Sequence, residues 1–107
     1  MSELNMTIDG GACRFMTKVK ATPSDDYMSV TFVIESECPS VKKLAAALGE
    51  CDAMDAVASR IIDNILMKKC SEFLPHPACI VPCALVKAAE AACDLALKKD
   101  AGIHFER

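Results

Sequence analysis

The stretch YMSVTFVIESECPSVKKLAAAL (residues 27–48) changes period half-way along, and that change decides the fold class. Within residues 27–35, Val30, Phe32 and Ile34 alternate with Thr31 and Val33, the period of a strand rich in β-branched side chains. After Cys38, Pro39 suits a first helical turn, where its missing N–H costs no intrahelical bond. Residues 41–48 then read as a short helix that Gly49 stops.

Upstream, Leu4, Met6 and Ile8 alternate with polar neighbours, Gly10-Gly11 turns the chain, and Phe15, Thr17 and Val19 alternate again before the turn-rich residues 21–26. Downstream, Asp52 can cap a second helix, in which Met54, Val57, Ala58, Ile61, Ile62, Ile65 and Leu66 follow helical spacing. Cys70 continues the Ile62 and Leu66 line and reads as a buried thiol. A third helix is expected from Pro82 to about Lys99, with Val81, Leu85, Ala88, Ala92 and Ala96 opposite a stripe of Lys87, Glu90, Asp94 and Lys98. Past Gly102, the alternation of Ile103 and Phe105 predicts a last short strand. The resulting order, βββαααβ, predicts a single α+β domain over residues 1–107, a small antiparallel sheet with helices packed on one face.

This topology brings particular cysteines together. In a three-stranded meander, the first turn and the end of the third strand share one end of the sheet, and the third helix starts at that same end. Cys13, Cys38, Cys79 and Cys83 are therefore expected to gather there, with Cys51 at the far end and Cys93 down a helix. Two of the four sit at helix N-termini, whose partial positive charge favours thiolate over thiol. Cys83 falls on the polar line of its helix, which argues against core filling; Cys93 lies at the edge of the apolar arc, as a buried thiol does.

Four thiolates suit zinc or an iron–sulfur cluster. The spacings do not choose: Cys79-x3-Cys83 lacks a second matching pair and is not a common ferredoxin run. Ligands drawn from loops and helix starts, without paired knuckles, favour the cluster. The competing reading is that these thiols fill a tightly packed core as alanine-sized hydrophobes. His76 is a possible ligand, although its place between two prolines in a loop reads more simply as exposed, and His104, on the terminal strand, reads as a solvent-facing side chain.

Composition narrows the classes. With 12 Lys and Arg against 15 Asp and Glu, and the basic residues scattered, nucleic acid is not an expected partner. Apolar residues make up 52% of the chain, yet Trp is absent and Tyr occurs once, so the core is aliphatic and no base-stacking surface is available. No apolar run is long enough to span a bilayer, and the first residues show no export signal. Seven cysteines, an odd number, then point to free thiols in a reducing, cytoplasmic setting. No phosphate loop, His-Glu-x-x-His or Ser-His-Asp order is present, so hydrolase and nucleotide chemistry find no support and no catalytic residue is assigned.

The segments Gly10–Cys13, 37–48, 51–57 and above all 77–103 together resemble an uncharacterised family of small cysteine-containing proteins from anaerobic microbes. GGAC at residues 10–13 and SECP at residues 36–39 are also similar to cysteine motifs of iron–sulfur scaffold proteins, although that family's third-ligand pattern is not recognisable at residues 77–83. The expectation is a metal- or cluster-binding protein that uses Cys13, Cys38, Cys79 and Cys83 in electron transfer or cluster handling, with a redox or cluster-exchange protein as partner. Two alternatives stand beside it: a cofactor-free thiol redox protein using Cys79 and Cys83, and a binding module that forms a homodimer through an open sheet edge.

Overall fold

A computed structural model describes residues 3–107. The expected α+β architecture is present: an antiparallel meander with spatial order β1-β2-β3-β4, helices on one face and solvent on the other. The strands β1 (Leu4–Asp9), β2 (Met16–Pro23) and β3 (Ser29–Ser36) carry the alternations of the sequence. Leu4, Ile8, Thr17, Val19, Ala21, Val30 and Phe32 face inward, and Lys18, Lys20, Thr31 and Glu35 face out. In register, Thr17 lies between Ile8 on β1 and Ser36 on β3, which marks the end of the sheet where the cysteine-bearing loops leave.

The fourth strand is not the C-terminal one. After α1 (Pro39–Ala47), the chain turns at Gly49 and β4 (Glu50–Asp52) pairs with Ser29, Val30 and Thr31. Three residues are too few to show an alternation. Residues 103–105 have no strand partner, and Ile103 and Phe105 are exposed.

The expected second helix is broken in two. Asp52 caps α2 (Ala53–Val57) as anticipated, its carboxylate accepting the Asp55 N–H at 3.0 Å, but Ser59 takes a left-handed φ of 74° and the helix ends. After a 3-10 turn at Ile61–Asp63, Asn64 caps α3 (Ile65–Phe73). The Asn64 Oδ1 accepts the N–H groups of Leu66 (2.9 Å) and Met67 (3.1 Å), while Nδ2 donates to the carbonyls of Ala56 (2.9 Å) and Ala58 (3.2 Å). One buried side chain thus satisfies the end of one helix and the start of the next, and the apolar residues between them turn outward: Ile61 is 77% exposed and Ile62 79%. Leu66 and Cys70 keep the buried positions their spacing implies, and α3 packs on α1 and α4.

The last helix, α4 (Val81–Ala92), also ends early. Asp94 adopts φ 62°, the Leu95 N–H reaches the Glu90 carbonyl (2.8 Å) and the Asp94 N–H reaches that of Ala91 (3.3 Å), which together form a Schellman ending. Helix-forming residues continue to Lys99, but Leu95, Ala96 and Leu97 are exposed and gain no packing from another turn. The inner face of α4 is as expected, with Val81, Leu85, Ala88 and Ala92 against β1 and β2.

Candidate functional site: a thiol-bordered pocket

A pocket of about 290 Å³ lies at the end of the sheet where Ile8, Thr17 and Ser36 align. That volume is near the lower end of the roughly 300–1,000 Å³ that small-ligand sites occupy. Ile8, Phe15, Val41, Leu74, Ile80 and Val81 make its wall mainly apolar, and Cys13, Cys38, Cys79 and His76 border it.

Three segments deliver the three thiols. The Asp9 carboxylate accepts the Gly11 N–H (2.9 Å), the Gly10 N–H donates to the Phe15 carbonyl (3.0 Å), and the tight 3-10 turn at Gly11–Cys13 results. Gly10 is required by close approach, because a Cβ there would stand 2.5 Å from the Cys13 Sγ and 2.8 Å from the Phe15 oxygen. Gly11, at φ 74°, is required by conformation. Gly10→Ala should therefore force Cys13 and the turn apart, at a cost of about 1–3 kcal/mol. A urea titration that leaves this variant as stable as wild type would show that the turn relaxes freely.

In the second segment, the Ser36 hydroxyl accepts the Cys38 N–H (3.1 Å) and pairs with the buried Thr17 hydroxyl (2.8 Å), which ties Cys38 to the sheet. Cys38 is the N-cap of α1, but its thiol makes no capping bond, and it borders the pocket. In the third, the Cys79 N–H donates to the His76 carbonyl (3.2 Å), bending the loop before α4. The N-terminal turns of α1 and α4 both meet the pocket through Ser40, Val41, Ile80 and Val81.

Cys83 does not join these three. It lies about 200° around α4 from Val81 at helical pitch, and it is exposed and outside the pocket wall. Of the four cysteines expected to gather, three border the pocket, as does His76. The two thiols of the redox-pair alternative also diverge: Cys79 is half-buried at the pocket, and Cys83 faces solvent. His76 is exposed, as its loop position implied, yet also borders the pocket; its three-residue spacing from Cys79 inside one turn was the available sequence signal. Among the described residues, no three His, Cys, Asp or Glu side chains approach closely enough to hold a single metal ion.

The remaining thiols belong to the core. Cys51 pairs with Val30 in the sheet at the far end, Cys93 caps α4 with its Sγ 3.9 Å from the Ser29 carbonyl, and Cys70 is buried in α3. Burial raises the titration of all three. Cys70 is pushed from 9.0 to about 12, with nearby Cys79 adding a smaller push in the same direction. A proton held more tightly in the folded state gives stability that is complete below pH 9 and is lost as pH rises from 9 toward 12. The stability advantage of wild type over Cys70→Ala should therefore shrink across that window in urea titrations. An advantage that stays constant to pH 11 would contradict it.

Together these features define a small α+β protein with a thiol-bordered pocket at one end of its sheet. The chain belongs to DUF6951, a family of unknown function whose model matches residues 4–105. No curated relative and no solved structure matches it. No helix among the described residues is long and apolar enough to cross a membrane.

Proposed function

We propose that the pocket holds an iron–sulfur cluster through Cys13, Cys38 and Cys79, and that the protein serves electron transfer or cluster handling with a redox or cluster-exchange partner. The observation that carries this reading is the convergence of three thiols, from three separate segments, on one mainly apolar pocket. Core filling accounts for Cys51, Cys70 and Cys93, and Cys38 and Cys79 pack against the core as well as bordering the pocket; it does not account for the exposed Cys13 at the same pocket.

The arrangement of the thiols counts against one zinc ion. A tetrahedral zinc with Zn–S bonds near 2.3 Å needs its sulfurs about 3.8 Å apart. Such a group is absent among the described residues, so zinc, the alternative, requires the loops to close. A cluster that places each cysteine on its own iron spreads its ligands around a pocket rim. The similarity of residues 10–13 and 36–39 to scaffold motifs points the same way, and a reducing cytoplasm, in an anaerobic organism above all, suits an oxygen-sensitive centre.

Protein purified without air, or reconstituted with iron and sulfide, should contain both in matching amounts and absorb in the visible. Zinc alone would turn the site into a single-ion centre. Folded, reduced protein that binds neither would end the proposal.

A further inference from the structure

Resting on that reading, we infer that His76, not Cys83, supplies the fourth ligand, giving the pocket a three-cysteine, one-histidine donor set for an iron–sulfur cluster. Of the residues bordering the pocket, only Cys13, Cys38, Cys79 and His76 carry ionisable side chains; no carboxylate, lysine or arginine is among them. The two hydroxyl-bearing residues are Thr17 and Ser40, and Thr17 is committed to Ser36. His76 is thus the one strong nitrogen donor at the wall.

The loop is built to hold it there. Pro75 and Pro77 flank the histidine, restricting their own φ and the conformations of the residues before them. The bond from the Cys79 N–H to the His76 carbonyl closes the turn that places both residues at the pocket. Cys83 is held away by the rigid geometry of α4: turning it inward would rotate the buried Val81, Ala84 and Leu85 out of the core.

Charge supports the same choice. An imidazole in place of a fourth thiolate removes one negative charge from a pocket whose wall is mainly apolar and contributes no cation. Burying less uncompensated charge costs less. Histidine for cysteine also raises a cluster's reduction potential, so a moderately high potential is expected.

The test uses the full chain, reconstituted anaerobically with iron and sulfide, as wild type, Cys83→Ser, His76→Ala and His76→Cys. Cys83→Ser should hold iron as wild type does. His76→Ala should lose iron to a chelator at least about tenfold faster, since even outer-shell changes cost 10–100-fold in metal affinity. His76→Cys should recover the retention and lower the potential. Pulsed EPR of the reduced wild-type cluster should show a nitrogen hyperfine coupling that both His76 variants lack. Because His76 is exposed in a loop, circular dichroism should find both variants folded. A wild-type cluster without nitrogen coupling, or Cys83→Ser losing iron while His76→Ala keeps it, would overturn the assignment but leave the pocket's cluster intact. Wild type that takes up no iron would bring down the underlying reading, and this one with it.

Discussion

Replacing Asn64 with alanine is expected to cost about 2–4 kcal/mol, a large share of the roughly 5–15 kcal/mol that holds a domain together. Loss of the cap on Leu66 and Met67 accounts for about 1 kcal/mol of this. The rest comes from the buried Ala56 carbonyl and the part-buried Ala58 carbonyl, which lose their donor, at about 1–3 kcal/mol. Asn64→Asp separates the two contributions: its carboxylate still accepts from the N-terminus of α3, but it has no N–H to offer the carbonyls and repels them instead. It should recover the capping share at most. Urea unfolding gives the energies, and hydrogen exchange at Leu66 and Met67 reports the cap directly. A loss below about 1 kcal/mol for the alanine variant would mean that something other than Asn64 enforces the break between α2 and α3.

Serine substitutions along the chain should separate iron binding from stability. Cys13→Ser, Cys38→Ser and Cys79→Ser should each bring the iron content of reconstituted protein close to zero, because a neutral hydroxyl is a poor replacement for a thiolate ligand. Cys13 is exposed, so its variant should be nearly as stable as wild type. Cys51→Ser, Cys70→Ser and Cys93→Ser should do the reverse, keeping iron while losing about 1–3 kcal/mol as a hydroxyl replaces a buried thiol. Metal analysis beside denaturant titration reads both effects. Iron that depends on Cys51 and not on Cys13 would place the centre at the wrong end of the sheet.

The alternations of β1, β2 and β3 were legible because a sheet with one buried face writes its period into the chain: Val30 and Phe32 go in, Thr31 and Glu35 go out. Pro39 and Gly49 bracket α1 for equally local reasons, and the inner face of α4 follows from the spacing of Val81, Leu85, Ala88 and Ala92. From those elements alone, the meander brings Cys13 and Cys38 to one end of the sheet, and the start of α4 brings Cys79 beside them. The polar position of Cys83 on α4 was equally readable, and grouping it with the others set that signal aside.

Tertiary structure decided the rest. The apolar spacing through residues 54–66 looks helical whether or not a helix forms, and it is overruled by a buried asparagine whose partners, Ala56 in α2 and Ala58 just past its end, belong to a different segment. The strand β4 exists because β3 offers it an open edge, and α4 ends at Ala92 because nothing packs against the next turn. A side chain's period tells which way it faces along its own element. Which side chains meet across a pocket depends on distances between elements, and so the place of His76 at the pocket wall, and of Cys83 outside it, was decided only when the chain was folded.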